Sequence, residues 1–170
     1  MFVGLISDTH GVFSEPFREF LAPVDVIWHA GDWGGDASFA ESISDFKPVV
    51  GVHGNCDGSG IRYLYPETQL LKLQGVKVLM THIGGSPGHY YPVAKGLIEE
   101  YRPDYFICGH SHILMVKWDA KYNLMYLNPG AAGLQGWHLE RTALRFKLEN
   151  GELKELEVFH LPKNNTTFVG

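Results

Sequence analysis

Residues 2–10, Phe2-Val3-Gly4-Leu5-Ile6-Ser7-Asp8-Thr9-His10, decide how the rest of the chain is read. From Phe2 to Ser7 the run is apolar or small, without the alternation of a strand wetted on one face. It reads as a strand covered on both sides, as in a parallel sheet flanked by helices. It then stops in Asp8-Thr9-His10. The i, i+2 spacing lets both metal-competent side chains face one side of an extended backbone.

Working outward, residues 14–21 form a helix pattern with Ser14 as cap and Pro16 in its first turn. Residues 24–29 form a second strand, 36–46 a second helix and 48–53 a third strand. This βαβαβ order predicts a parallel sheet with right-handed crossovers. Further on, residues 69–74 and 76–81 flank Gly75 as a hairpin, 92–101 form a helix and 104–108 a strand. Residues 113–118 and 124–128 flank a polar turn, and 142–148 pair with 153–160 across Glu149-Asn150-Gly151. Asn-Gly between alternating runs is a strong hairpin signal. A parallel half and an antiparallel half predict an α/β (α+β) fold of two sheets packed face to face, with helices outside. Residues 161–170 read as a loose tail.

The 170 residues suit one domain, residues 1–170. A composition 45% hydrophobic and 19% charged excludes a disordered chain. No apolar run approaches the ~20 residues of a membrane span, and the first residues lack the basic start of a signal peptide. Cys56 and Cys108 make no disulfide framework, so a cytoplasmic setting is expected. The net charge of −5 offers no general attraction to nucleic acid. A protein of this charge that handles phosphate needs positive charge from a bound metal.

Each predicted strand of the first two-thirds ends in a residue that can bind metal. Asp8 and His10 follow the first strand, Asp32 the second and Asn55 the third, while His82 follows the middle hairpin and His110 and His112 the 104–108 strand. Ligands of open α/β sheets gather beyond the carboxyl ends of strands, so five segments converge. Carboxylate, imidazole and amide donors suit Mn²⁺, Fe, Zn²⁺, Ni²⁺ or Co²⁺, and seven ligands suit two ions sharing a carboxylate. Glycines before Asp32, Asn55 and His110 allow the backbone to turn tightly. Each residue alone has a plainer use, as turn, cap or strand end. His110 and His112 in one turn are the strongest single element.

The series Asp8-Thr9-His10, Gly31-Asp32, Gly54-Asn55-Cys56-Asp57, His82 and Gly109-His110-Ser111-His112 resembles the calcineurin-like metallophosphoesterase superfamily. Asn128-Pro129-Gly130 resembles a turn of its small single-domain prokaryotic members, the YfcE-like phosphodiesterases. The resemblance implies a four-layer α/β/β/α sandwich of two mixed sheets. It also implies two divalent ions, manganese first among them, one held by Asp8, His10, Asp32 and His112. The other would be held by Asp32, Asn55, His82 and His110, with Asp32 bridging. The implied reaction is hydrolysis of a phosphate ester by a metal-bridging hydroxide, with Asn55 and His82 as catalytic contacts. Where protein phosphatases of the superfamily carry a histidine to assist the leaving group, this chain has Cys56. A thiol is a weaker acid than imidazolium, which shifts the expected substrate from phosphoprotein to phosphodiester. Asp57 is a candidate for orienting a water.

Other candidates surround this set. His29 is placed to orient a ligand by hydrogen bonding. His53, just before Gly54-Asn55, either approaches the substrate or, the favoured reading, has only a structural place. Trp33 either walls the pocket or packs in the core. The stretch 84–91 reads as a flexible loop beside His82, with His89 and Tyr90 as substrate contacts. Arg141 either meets phosphate or forms a surface salt bridge, and His138 and His160 are solvent-exposed. Specificity is expected from loops 33–36, 57–66 and 84–91. The alternatives are a phosphomonoesterase, a nuclease, and a non-catalytic scaffold like the retromer subunit of this fold. The acidic charge argues against the nuclease, and seven intact ligand types argue against the scaffold. The strand-rich, apolar surface also fits a homodimer.

Overall fold

A computed structural model describes residues 1–163. Its elements are β1 (Phe2–Ile6), α1 (Glu15–Leu21), β2 (Val26–His29), α2 (Ala37–Phe46), β3 (Val49–Gly51) and α3 (Ser59–Leu64). There follow β4 (Thr68–Leu73), β5 (Val76–Thr81), β6 (Gly85–Ser86), β7 (His89–Tyr90), α4 (Pro92–Tyr101) and β8 (Tyr105–Ile107). The chain continues through β9 (Leu114–Asp119), β10 (Leu124–Pro129), β11 (Glu140–Glu149) and β12 (Glu152–Pro162).

Two five-stranded sheets run in the orders β12-β11-β1-β2-β3 and β4-β5-β8-β10-β9. Val3 and Leu5 of β1, Trp28 of β2 and Phe146 of β11 meet Val78, Met80, Ile107 and Leu127 of the second sheet in a shared core. The opposite face of the first sheet packs Phe17, Leu21, Ala40, Ile43 and Ile61 of α1, α2 and α3. The second sheet takes Ala94 and Ile98 of α4 on Leu79, Phe106 and Tyr126. This is the four-layer α/β/β/α arrangement, and it explains why β1 has no polar face.

Parallel and antiparallel strands do not segregate by half. Each sheet has three adjacent parallel strands, β1-β2-β3 at one edge of the first and β5-β8-β10 in the middle of the second, the remaining strands being antiparallel. Strands β11 and β12 return across the chain to complete the N-terminal sheet. Their hairpin turns through Asn150 and Gly151, both at positive φ, as a two-residue primed turn requires. Asp36 caps α2 by accepting from the amides of Ser38 and Phe39. Ser14 precedes α1, but its side chain caps nothing and instead accepts from Arg141.

Three expectations are corrected. Strand β12 runs to Pro162, so the loose tail does not begin at 161, and residues 164–170 lie outside the described ones. Helix α3 was not foreseen in the 57–66 loop. The 84–91 stretch is a small hairpin, β6 paired to β7, tied down by the Tyr126 hydroxyl donating to the Gly85 carbonyl at 2.7 Å.

Candidate metal centre

Five strands from both sheets, β1, β2 and β3 of one and β5 and β8 of the other, lead into the expected ligands. Their following residues carry Asp8 and His10, Asp32, Asn55, His82, and His110 and His112. Backbone bonds lock these turns together: the Asp8 amide donates to Gly31 O at 2.9 Å, His10 to Asp32 O at 3.2 Å, and Gly109 to His82 O at 3.0 Å.

The turns are tight in a specific way. Asp8, His10, Asp32, His110 and His112 all have left-handed φ, between +44° and +66°. The paired ligands therefore converge through backbone kinks, and the extended-strand geometry expected from their i, i+2 spacing does not apply. Non-glycine residues rarely adopt this region, though Asp and His enter it more readily than most. The preceding glycines are needed for close approach. A Cβ on Gly54 would strike Asp32 Oδ1, one on Gly109 would strike Ser7 Oγ, and one on Gly31 would sit 2.6 Å from His82 Nδ1.

Asp8 Oδ1 lies 3.0 Å from His112 Nε2 and 3.9 Å from the Nε2 atoms of His10 and His82. Asp32 Oδ2 lies 3.2 Å from His82 Nε2 and 3.9 Å from His10 Nε2. In two sets, Asp8/His10/His112 and Asp32/His82/His110, the potential ligand atoms all fall within 4.8 Å of one another. Six of the seven expected ligands are thus brought together. Asn55, the seventh, is exposed on a cavity beside His82, its amide donating to Cys56 Sγ at 3.5 Å.

The donors fit a cation. His82 Nδ1 lies 2.7 Å from Ala30 O and donates its proton there, which directs Nε2 at the Asp32 carboxylate 3.2 Å away, where a cation would take its lone pair. His10 Nε2 and His82 Nε2 are buried without a hydrogen-bond partner. Buried unpaired polar atoms are costly, and a metal between these acceptors and Asp8 and Asp32 resolves both. The charge balance agrees. Burial by itself raises the Asp32 carboxyl, but the adjacent His82 ring, protonated where no cation takes Nε2, outweighs it and holds the group well below the usual range. Asp8 is likewise held down, by His112 and His82 against burial, and His82 is raised by Asp32 and Asp8 against burial. Two ionised carboxylates in a buried cluster draw positive charge.

His29 contacts none of the six. Its Nδ1 accepts from the Gly31 amide at 3.2 Å, and its Nε2 lies 3.0 Å from Thr9 Oγ1, whose proton goes to Trp33 O. A neutral imidazole thus braces the turns that carry Asp32 and His10, and burial drives its pKa down to about 3.

Other candidates are redistributed. Trp33 is fully buried, stacked between His29 at 3.7 Å and Tyr65 at 4.2 Å, with Nε1 donating to Val52 O. It walls no pocket. Tyr90 turns inward onto Phe106 and Tyr122 and donates to Asp119 at 2.8 Å, so it is not free to contact substrate. Its neighbour Tyr91 is exposed instead and lines two cavities. Asp57 is nearly buried, and both carboxylate oxygens accept backbone amides, Gly34 at 3.1 Å and Gly54 at 2.7 Å. It clamps the ligand loop, each oxygen holding one backbone amide. Arg141 is buried, donating to Ala132 O and Ser14 Oγ, and pairs with no acid among the described residues. His160 pairs with Glu140, and the His138 ring meets His112 edge-on at 5.0 Å.

Arg62 of α3, which no sequence pattern marks, donates to the carbonyls of Gly54, Asn55 and Asp57. The cavity beside Asn55 and His82 holds about 370 Å³ and is bounded by Arg62, Ile83, Tyr91 and Val93. A second, of about 420 Å³, lies against His110 with His89, Tyr91, Ile113 and Met115. His89 is exposed there, and His53 lines the first cavity, half-buried.

The model of the calcineurin-like phosphoesterase superfamily domain matches residues 1–151. The chain belongs to this superfamily. No curated protein sequence matches the chain. Among solved structures, an archaeal phosphodiesterase superposes with a TM-score of 0.72 at 20% identity, covering 95% of this chain and 100% of its own. A wild-type Vps29 complexed with zinc from Entamoeba histolytica superposes with a TM-score of 0.71 at 18% identity, covering 96% and 100%. A predicted phosphoesterase from Streptococcus pneumoniae gives 0.64 at 20% identity, covering 95% and 89%. These likenesses establish the calcineurin-like fold. Among the described residues no helix is long and apolar enough to cross a membrane.

Proposed function

We propose that the chain is a metal-dependent phosphodiesterase with two divalent ions. Asp8, His10, Asp32 and His112 hold one, and Asp32, Asn55, His82 and His110 hold the other. The observation that carries this is the pair of buried, unpartnered nitrogens, His10 Nε2 and His82 Nε2, facing two carboxylates. A metal pair bound there supplies positive charge to phosphate oxygens and acidifies water. The chain's own residues supply orientation: the Ala30 carbonyl fixes the His82 tautomer, the Cys56 amide holds Asp32 Oδ1 at 2.8 Å, and Asn55 lines the cavity where a phosphate oxygen would bind.

The diester preference rests on the two cavities. One opens beside Asn55 and His82, the other beside His110, with Tyr91 between them. A phosphodiester has two organic arms to place and a monoester one. Cys56 adds to the preference, since burial followed by the nearby Asp32 pushes its thiol up to about 11. It is a poor donor to a leaving group near neutral pH, so esters of acidic alcohols are favoured.

The test is hydrolysis of an aryl phosphodiester and its monoester by Mn²⁺-loaded protein, with Ni²⁺ and Zn²⁺ in parallel. Diester turnover above monoester turnover, abolished in Asp32→Ala, is the expected result. Turnover of neither ester, or full activity in Asp32→Ala, overturns the proposal.

A further inference from the structure

We propose that Cys56 is an additional metal ligand, giving the centre a thiolate beside His10 and Asp32. The inference deepens the metal reading above and rests on it.

Cys56 Sγ, a ring nitrogen of His10 and a carboxylate oxygen of Asp32 all lie within 4.8 Å of one another. Metal–nitrogen and metal–sulfur bonds of about 2.0–2.3 Å span up to roughly 4.4 Å between opposite ligands, so slight closure brings all three onto one ion. Into this space points His10 Nε2, on a side chain only 7% exposed and with no hydrogen-bond partner. The nitrogen marks the place of a missing positive centre, and the sulfur borders it.

Residue 56 is also held where it is. Its amide donates to Asp32 Oδ1 at 2.8 Å, which fixes its backbone beside that carboxylate. The rest of the loop is gripped from behind by Asp57, through the Gly54 amide, and by Arg62, through the carbonyls of Gly54, Asn55 and Asp57. A backbone clamped at this many points keeps residue 56 beside the Asp32 carboxylate. The other cysteine is in no such position. Cys108 is buried and bonded to the Tyr126 hydroxyl at 3.1 Å.

Ligation breaks the S–H bond and forms the metal–sulfur bond, and the proton leaves to solvent with no change of oxidation state. A sulfur ligand shifts preference toward thiophilic ions such as Zn²⁺, Co²⁺ and Fe²⁺ and away from Mg²⁺ and Mn²⁺. The cysteine then contributes to metal choice at a position where it makes a poor acid.

The test loads the metal-free full chain with Co²⁺ and records its absorption spectrum, alongside Cys56→Ser. The expected result is a near-ultraviolet sulfur-to-cobalt charge-transfer band in the wild type and its loss in Cys56→Ser. Visible d–d bands persist in both, showing that the variant still folds and binds. Competition between Zn²⁺ and Mn²⁺ should move toward Mn²⁺ in Cys56→Ser by about tenfold or more, the scale at which even groups beyond the ligands act. Visible bands without charge transfer in the wild type, or an unchanged charge-transfer band in Cys56→Ser, overturn the thiolate and leave the metal centre standing. No cobalt uptake by the wild type overturns both.

Discussion

The side-chain amide of Asn128 donates to the carbonyl oxygen of Gly109 at 3.0 Å, and so ties the end of β10 to the turn that carries His110 and His112. The same nitrogen reaches Ser111 Oγ at 3.1 Å, and Asn128 Oδ1 accepts the Gly130 amide at 3.0 Å. This residue holds both sides of His110. Asn128→Ala is expected to lose metal affinity about 10–100-fold, the range for groups that orient ligands. It should also lose about 1–3 kcal/mol of stability from the buried groups left unpaired. Metal titration and denaturant unfolding measure the two separately, and unchanged metal affinity would remove Asn128 from the site.

Asp57 separates a clamp from a proton carrier. In Asp57→Asn one side-chain oxygen becomes an NH₂ group, which must face either the Gly34 or the Gly54 amide, donor to donor. We expect a stability loss of about 1–3 kcal/mol and lower turnover, with the pH–rate profile keeping its shape. Loss of one limb of that profile would restore Asp57 as a proton-transfer group.

Tyr90 and Tyr91 are adjacent but have opposite duties. Tyr91→Ala removes the shared wall of both cavities and is expected to raise KM for a diester several-fold, corresponding to about 1 kcal/mol of aromatic contact, with kcat little changed. Tyr90→Phe removes the bond to Asp119 and should cost about 1 kcal/mol of stability with KM unaltered. The reverse pattern would mean that the hairpin presents the other ring.

Buried His29 makes the fold sensitive to acid. Its folded pKa of about 3 lies below the ordinary 6.5, so below pH 6.5 the unfolded chain binds a proton that the folded chain refuses. Stability therefore falls as pH drops from 6.5 toward 3, and His29 adds no slope above 6.5. Between pH 7 and 5 its share is about 2 kcal/mol, at about 1.4 kcal/mol per unit. His29→Gln keeps one acceptor and one donor for Gly31 and Thr9, and urea unfolding should show that this share of the slope has gone. Equal pH slopes in both proteins would contradict the assignment.

Much of this was legible in the chain, for reasons that differ by residue. The β1 run and the Asn150-Gly151 turn are local signals, periodicity in one case and backbone preference in the other. The convergence of Asp8, Asp32, His82 and His110 followed from parallel-strand topology, which sends strand ends to one side. What failed was side-chain direction and the use of each oxygen. Nothing in Tyr90-Tyr91 says which ring turns inward, because a two-residue ribbon has no long period to read. Asp57 and Trp33 looked chemical by adjacency to ligands, yet backbone amides and the His29 ring claim them. Arg62 sits on a helix of six residues in a glycine-rich stretch, too short for an amphipathic pattern.

The left-handed backbone at Asp8, His10, Asp32, His110 and His112 has a consequence for directed evolution. At such positions glycine, and next asparagine, is the conformationally easier residue, and holding another side chain there typically costs on the order of 1 kcal/mol or more. Selecting a library of metal-free variants for heat resistance alone would therefore enrich substitutions at these five places first. The hardiest survivors would be the ones emptied of chemistry, so thermostable variants should be sought only under a paired selection for metal uptake.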